Sequence, residues 1–266
     1  MTPDQIEAAA DALVRAEATG RQIGLLSLRH PGMGMDDAYA VQAALVARKL
    51  AAGRRRIGWK IGLTSRAMQD ALGIDTPDSG VLLDDMVFGD GSTVPAGRFI
   101  QPRIEAEIAF LMATPLDGAD CTREDVIAAT QSVAPSLEIL DTRILRADPA
   151  TGRARTVADT IADNAANAGM VLGDARHAPG AHDLRWTGAI VARDGIVEET
   201  GLGAGVLNDP VTSVLWLVRR LAAYGQRIEA GDIVLSGSFV RPVEAPPGAG
   251  ISADFGAFGS VGIAFA

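Results

Sequence analysis

Pro102-Arg-Ile-Glu-Ala-Glu-Ile-Ala-Phe110 is the stretch on which the reading of this chain turns. Ile104, Ala106, Ile108 and Phe110 alternate with Glu105, Glu107, Ala109 and Leu111, and a period of two marks a strand rather than a helix. Side chains two apart leave the same strand face, their Cα atoms roughly 6.5–7 Å apart. Two carboxylates therefore share a face that turns apolar at Ala109 and Leu111. Such a face is at least partly covered, and a covered carboxylate needs a counter-charge or a metal ion. The competing reading is a solvated acidic edge.

The surrounding chain has 266 residues, 48% hydrophobic and 21% charged, enough length for a core and the profile of a globular protein. No apolar run reaches the roughly 18–20 residues of a membrane span, and no signal-peptide core opens the sequence. Cys121 alone permits no internal disulfide and no multi-cysteine metal site, so a cytoplasmic location is the simplest expectation. With net charge −9 and no basic block beyond Arg54-Arg55-Arg56, neither nucleic acid nor a membrane surface is an expected partner.

Working outward, Thr2-Pro3-Asp4-Gln5 predicts a capped helix start, and a second helix from Asp36 or Asp37 stops at Gly53. A strand is expected over 56–63, a short helix over 65–72 closed by Gly73, and an extended segment over 81–88. Thr122-Arg-Glu-Asp125 opens a helix expected to reach Val133 and to be stopped by Pro135. A strand carrying Glu138 follows, and 157–168 is helical or looped. Asp194-Gly195 predicts a type I′ hairpin, and Asp209-Pro210 opens an amphipathic helix with Val214, Leu217, Val218 and Leu221. The remainder alternates strands with Gly/Pro turns. Helices early and strands late predict an α+β fold with a mixed or antiparallel sheet, divided as a mainly helical part over 1–75 and a strand-rich part over 76–266.

Glu105, Glu107 and Glu138, three carboxylates on two strands, could ligate one divalent ion and leave positions open. With only His30, His177 and His182 to offer nitrogen, an oxygen-ligated Mg²⁺ or Mn²⁺ fits better than zinc. The bland alternative is an acidic surface with Glu138 unrelated. The chain holds 22 arginines and two lysines, Lys49 and Lys60. Lys60 sits in Ile57-Gly-Trp-Lys-Ile-Gly-Leu63, where it either neutralises an anion or donates a proton with a lowered pKa, or merely snorkels from a strand end. Asp78, in Thr76-Pro-Asp-Ser-Gly80, reads as a general acid or base on a loop or as an Asx-turn residue. Asp159, Asp163 and Asn164 read as turn or cap residues. Ser236-Gly-Ser238 either presents hydroxyls and amides to an anion or is a plain strand-to-loop transition.

Other motifs fail. Gly201-Leu-Gly-Ala-Gly205 is followed by Val206 and lacks the dinucleotide spacing. The sequence has no P-loop, and its histidines sit in loop-like segments that give a Ser-His-Asp site no support.

Taken together, several motifs resemble the hydratase/decarboxylase branch of the fumarylacetoacetate hydrolase superfamily. They are Gly58-Trp-Lys-Ile-Gly-Leu-Thr-Ser65, Leu83-Asp-Asp-Met86, Arg98-Phe-Ile-Gln-Pro-Arg-Ile-Glu-Ala-Glu-Ile-Ala-Phe110, Leu137-Glu-Ile-Leu-Asp141, 159–169, Glu198-Glu-Thr-Gly201, Gly205-Val-Leu-Asn208 and Gly237-Ser-Phe-Val-Arg-Pro-Val243. The resemblance runs from about Asp36 onward. It implies a mixed β-sheet roll with an N-terminal helical part, a Mg²⁺ or Mn²⁺ site, a homo-oligomer and a small 2-oxo acid as substrate. It places metal ligands at Glu105, Glu107 and Glu138, catalytic groups at Lys60 and Asp78, and substrate contacts around Ser236 and Ser238. The implied reaction is hydration of a 2-oxo-enoic acid in aromatic catabolism, with 2-oxohept-3-ene-1,7-dioate foremost and 2-oxopent-4-enoate next. A distal carboxylate would want an arginine, and Arg241, Arg143 and Arg103 are candidates. The rivals are loss of CO₂ from a related acid and a catalytically silent subunit that binds 2-oxo acids. One departure is Trp59, where some members carry His or Tyr before the lysine.

Overall fold

A computed structural model describes residues 1–72 and 74–266, without the side chains of Met68, Ala71 and Leu72. The expected closure of a helix by Gly73 lies outside the described residues. The chain begins with α1 (Pro3–Thr19), α2 (Leu26–Arg29) and α3 (Met35–Ala51). Thr2 caps α1 as its spacing predicts: its hydroxyl accepts the Gln5 N–H at 3.3 Å while Gln5 Oε1 accepts the Thr2 N–H at 2.9 Å. Next come β1 (Arg56–Gly62), α4 (Arg66–Leu72), β2 (Asp78–Leu83), β3 (Val87–Phe88), β4 (Thr93–Val94) and β5 (Arg103–Met112). After α5 (Arg123–Ala129) and β6 (Thr130–Leu140) follow α6 (Val157–Ala162), β7 (Asn167–Leu172), β8 (Gly188–Arg193) and β9 (Ile196–Leu202). Last are α7 (Pro210–Ala222), β10 (Ile233–Ser238), β11 (Val243–Glu244), β12 (Gly250–Asp254) and β13 (Ser260–Phe265).

The fold is α+β. Among the described residues, one sheet of eight strands runs β2-β1-β10-β5-β6-β7-β3, with β11 also on β5, and a five-stranded sheet runs β4-β13-β12-β8-β9. The pairs β1/β10, β3/β7 and β4/β13 are parallel, so both sheets are mixed. The stretch around Glu105 thus lies near the centre of the larger sheet. Its apolar residues Ile104, Ala106, Ile108 and Phe110 enter the main core with Leu137, Ile139, Val234 and, from α7, Val214, Leu217 and Val218. Each Ile, Leu, Val or Phe among them, fully buried, stabilises by roughly 1.5–3 kcal/mol. The opposite face carries a smaller apolar cluster of Leu82, Ala109, Met170 and Leu235. Both faces are covered, which a lone acidic edge strand would not need.

Three expectations give way. The helix at Thr122 ends at Ala129, and Pro135 lies inside β6 instead of stopping a helix. The proline is tolerated because its peptide faces β7 beyond that strand's last paired residue: the Pro135 carbonyl accepts the Gly173 N–H at 2.9 Å, and no ladder bond to β5 is lost. The extended segment at 81–88 is interrupted by a 3₁₀ turn at Asp84–Met86. Asp78 is the first residue of β2 rather than a loop residue. Asp194-Gly195 does form the hairpin turn between β8 and β9, both residues having positive φ.

The helical unit has its own core, in which Leu13 of α1 and Val41 and Leu45 of α3 meet Ile144 and Ile161. Strand pairing crosses residue 75, because β1 is bonded to β2 and to β10. Asp159 completes the cap of α6 and accepts Ser27 Oγ at 2.6 Å, joining that helix to α2. A buried ion pair pins the following turn: Arg143 Nε meets Asp163 Oδ1 at 2.6 Å, and the Arg143 backbone N–H meets Oδ2 at 2.7 Å. Removing one partner of such a pair leaves an uncompensated charge. Arg143→Met should therefore lower the unfolding free energy in urea by about 3–5 kcal/mol, and adding Asp163→Asn should recover part of that loss. A loss within about 1 kcal/mol for the single variant would show that the pair does not hold this segment.

Candidate active site and metal centre

Strand register assembles the site. Glu105 lies directly opposite Glu138 across β5 and β6, and Glu107 is opposite Ser136. On the other edge of β5, Ala109 pairs with Leu235 and Glu107 with Ser238 of β10, and Leu235 pairs with Lys60 of β1. Gly62 of β1 is opposite Asp78 of β2. Because alternate residues share a face, Glu105, Glu107, Glu138, Lys60 and Asp78 all rise from one side of the sheet. Trp59 belongs to the core on the other side, so its position contributes no titrating group to this site.

One carboxylate oxygen from each of Glu105, Glu107 and Glu138 lies within 4.8 Å of the others. Glu107 and Glu138 are 0% exposed, whereas Glu105 keeps some access. Glu107 Oε2 accepts the Gly237 N–H at 2.7 Å, and Glu138 Oε1 accepts Asn167 Nδ2 at 2.7 Å. Lys60 Nζ stands 3.3 Å from Glu138 Oε1. Glu107 Oε1 and Glu138 Oε2 are buried with no partner. Three clustered carboxylates against one ammonium, two of their oxygens buried without a partner, are a donor set that fits a divalent cation of the oxygen-preferring kind.

The electrostatics agree. Burial, with Glu138 next, pushes Glu105 up to about 8 and Glu107 well above the usual carboxylate range. Burial works against the Lys60 ammonium, but Glu138, Asp78, Glu105 and Glu107 together hold its pKa above the ordinary value, contrary to the lowered value entertained from sequence. Burial raises the Asp78 carboxyl, with Lys60 pulling the other way.

A cavity of about 550 Å³ opens onto this face, a size usual for small-molecule sites. Lys60, Gly62, Asp78 and Glu105 line it. Gly62 matters by what it lacks: a Cβ there would stand 2.3 Å from Asp78 Oδ1 and 3.0 Å from Lys60 Nζ. Asp78 Oδ1 is buried without a partner. Behind Asp78, Arg220 lies between the rings of Tyr39 and Tyr224 and reaches Ser79 Oγ at 3.4 Å. Backbone strain gathers at the wall, where Leu63, Ala165 and Ala166 have positive φ.

The other expected residues divide. Ser238 lines the cavity, but its hydroxyl donates to the Val240 carbonyl at 2.8 Å. Ser236 is not on the cavity wall, and its buried hydroxyl has no partner. Arg103 and Arg241 line the cavity, whereas Arg143 is committed to Asp163 and faces away. Arg146 and Arg155 also line it and carry no signal in the sequence, being two of many arginines in a polar loop. None of the three histidines is on the wall; His177 and His182 bond each other at 3.1 Å elsewhere.

No protein-family model matches the chain. It is 51% identical over 256 residues, 96% of both chains, to the 2-oxo-hept-4-ene-1,7-dioate hydratase of Escherichia coli. It is 40% identical over 261 residues to the 2-keto-4-pentenoate hydratase of Paraburkholderia xenovorans (strain LB400), covering 98% of this chain and 95% of that one. Among solved structures it superposes on the 4-oxalocrotonate decarboxylase of Pseudomonas putida G7, complexed with magnesium and adipate. That match has a TM-score of 0.93 at 34% identity and covers 100% of this chain and 99% of the other.

Titrating chelator-treated protein with Mg²⁺ or Mn²⁺ should show one binding site that Glu107→Gln or Glu138→Gln weakens by at least about 100-fold. Metal at about 100 times its Kd should raise the unfolding free energy of the unaltered chain by about 2.7 kcal/mol. Unchanged denaturation curves with and without EDTA would exclude the site.

Proposed function

The chain belongs to the hydratase/decarboxylase branch of the fumarylacetoacetate hydrolase superfamily, and from that premise we propose that it hydrates a 2-oxo-enoic acid, foremost a seven-carbon diacid. The observation that carries this reading is the shared cavity: the unpartnered Asp78 Oδ1 and the Lys60 ammonium stand at a gap kept open by Gly62, beside the three carboxylates. The enzyme is a hydro-lyase, and its proposed place is aromatic catabolism.

A double bond between C4 and C5, as in the name of the Escherichia coli relative, is not conjugated with the 2-oxo group. A proton must leave C3 and one must arrive at C5 before C4 becomes electrophilic. Water then gives its oxygen to C4 and a proton to C3, leaving 4-hydroxy-2-oxoheptane-1,7-dioate. A substrate with its double bond already at C3–C4 joins at the second step. A divalent ion held by Glu105, Glu107 and Glu138, with Mg²⁺ or Mn²⁺ the best match to these donors, would supply the Lewis acidity that makes C3–H acidic and C4 electrophilic. Asp78, on the cavity wall with its Oδ1 unpartnered, takes the proton from C3 and returns it at C5. Lys60 stays positive and offsets the charge that grows on the 2-oxo oxygen. Ser238 and Arg241, both on the wall, are proposed substrate contacts, while Ser236 acts through its place in β10 next to Gly237.

Loss of CO₂ is the second reading, favoured by the 0.93 superposition on a decarboxylase. The higher identity to a hydratase, 51% against 34%, supports hydration. Exposed Trp186, Ile190, Ile196 and Val197 on and beside β8 and β9 support a homo-oligomer. Among the described residues, no helix is long and apolar enough to cross a membrane, and a cytoplasmic place accords with a single cysteine.

Incubation with Mg²⁺ and 2-oxohept-4-ene-1,7-dioate should yield the 4-hydroxy product without CO₂. Lys60→Ala and Asp78→Asn should each lower kcat by about 10²–10⁴ while Mg²⁺ still binds. CO₂ release with no hydroxylated product would favour the decarboxylase, and turnover within about threefold in either variant would remove that residue from the chemistry.

A further inference from the structure

The cavity has a second pole. Arg103, Arg146 and Arg155 line it together with Lys60, Asp78 and Glu105. Arg146 and Arg155 face each other at the base of a hairpin, where the Arg155 N–H donates to the Arg146 carbonyl at 2.9 Å. Ala147 bridges Ala154 one step further on, and the Asp148 N–H meets the Arg153 carbonyl at 2.9 Å. Two guanidiniums are thereby fixed as cross-strand neighbours, an arrangement that like charges disfavour.

The acids around them stand off: Glu244 and Asp141 act on Arg146, and Asp163 and Asp159 on Arg155, without closing to an ion pair among the described residues. Among the described residues, Arg146 Nε meets only Gln101 Oε1 at 3.4 Å, and Arg155 donates to Thr142 Oγ1 at 2.6 Å. Neither forms an ion pair, whereas Arg143 is satisfied by Asp163. Arg103 meets the exposed Glu244 at 2.8 Å, yet its Nε is buried without a partner. Burial first, then Arg103 and Arg155, lower the pKa of Arg146, and the pull of Glu244 and Asp141 the other way does not offset them. Arg241 is the weaker candidate for an anion, being 80% exposed and already 2.7 Å from Glu199. A planar guanidinium takes a carboxylate with two parallel hydrogen bonds, and such pairs fix geometry as well as charge.

We infer that Arg146 and Arg155, with Arg103 beside them, form the subsite for the far carboxylate of a dicarboxylic substrate and set a preference for diacids over monoacids. The inference rests on the proposed hydration of a 2-oxo-enoic acid. One cavity then holds a substrate by opposite poles, the 2-oxo-acid end at the carboxylate cluster and the far carboxylate at the arginines. Its length is read by the distance between those poles, and a monoacid forfeits one of them.

The test compares kcat/KM for 2-oxohept-4-ene-1,7-dioate and 2-oxopent-4-enoate in the unaltered enzyme, Arg146→Gln, Arg155→Gln and the double variant. The diacid-to-monoacid ratio should fall by about 100-fold in the double variant, mainly through KM for the diacid. A ratio that moves by less than about threefold overturns the subsite. Calorimetry in Mg²⁺ with the saturated pair 2-oxoheptane-1,7-dioate and 2-oxoheptanoate separates this from the hydration reading. Both probes share the 2-oxo-acid end and differ in the far carboxylate. Tighter diacid binding that the double variant loses, while the monoacid's affinity holds, supports the subsite even if neither enoic acid is hydrated. No diacid preference, or one that survives the double substitution, overturns it. Mg²⁺ binding by the double variant confirms that it has folded.

Discussion

A repulsion organises this protein. Glu105 and Glu138 are cross-strand partners, and like charges directly opposite in a sheet destabilise it. Glu107 adds a third carboxylate two residues along, fully buried. Burying an ion without compensation is costly enough that proteins protonate, pair or ligate it. Here one ammonium, one amide N–H₂ and one backbone N–H answer three carboxylates. With all three ionised, Lys60 leaves two negative charges over, which a divalent cation would neutralise; without one, burial and mutual repulsion push Glu105 and Glu107 towards the protonated form. The site is thus built as a deficit, and its chemistry follows from what fills the deficit.

Much of the fold can be understood as the means of holding that deficit in place. Carboxylates stay crowded only if their backbone cannot move apart, and β5 and β6 are paired over most of their length near the middle of the larger sheet. The opposite face sends Ile104, Ile108 and Phe110 into the main core, which α7 also enters with Val214, Leu217 and Val218. Departures from ideal geometry collect nearby. Gly237, at φ 109, brings its N–H to Glu107, and a Cβ there would stand 2.5 Å from Thr64. Asn164, Ala165 and Ala166 run left-handed in succession, and Asn164 holds the turn by bonding both the N–H and the carbonyl of Val81. Such strain persists where surrounding structure over-determines it, as here.

The sequence disclosed what is local. The capping box at Thr2, the hairpin at Asp194-Gly195 and the alternation through Phe110 depend on neighbours a few residues away, and each reads directly. The two-carboxylate face was legible for the same reason. That Glu138 stands opposite Glu105 is a matter of register between strands, and periodicity fixes a face without naming its partner. Pro135 misled because its tolerance depends on where β7 ends, and Asp78 because its strand is defined by pairing to Gly62. Among the arginines, Arg143 looked available until Asp163 was found against it. Arg146 and Arg155 were invisible because what distinguishes them is the lack of an ion pair on a cavity wall, which only the folded chain shows.

Lys60 joins these levels. A chain with 22 arginines has placed a lysine where the side chain must thread between two glycines: a Cβ at Gly80 would lie 3.3 Å from Lys60 Cγ, and one at Gly62 would lie 3.0 Å from Nζ. A guanidinium is planar and wider, and it spreads its charge over a fork. The ammonium is a compact point charge that neutralises one carboxylate and leaves the gap at Gly62 free. Arginine serves at the other end of the cavity for the converse reason, since a carboxylate is matched by a fork rather than a point. The choice of cation at each pole follows the shape of what it must face. A single cavity can thereby tell the two ends of one small acid apart.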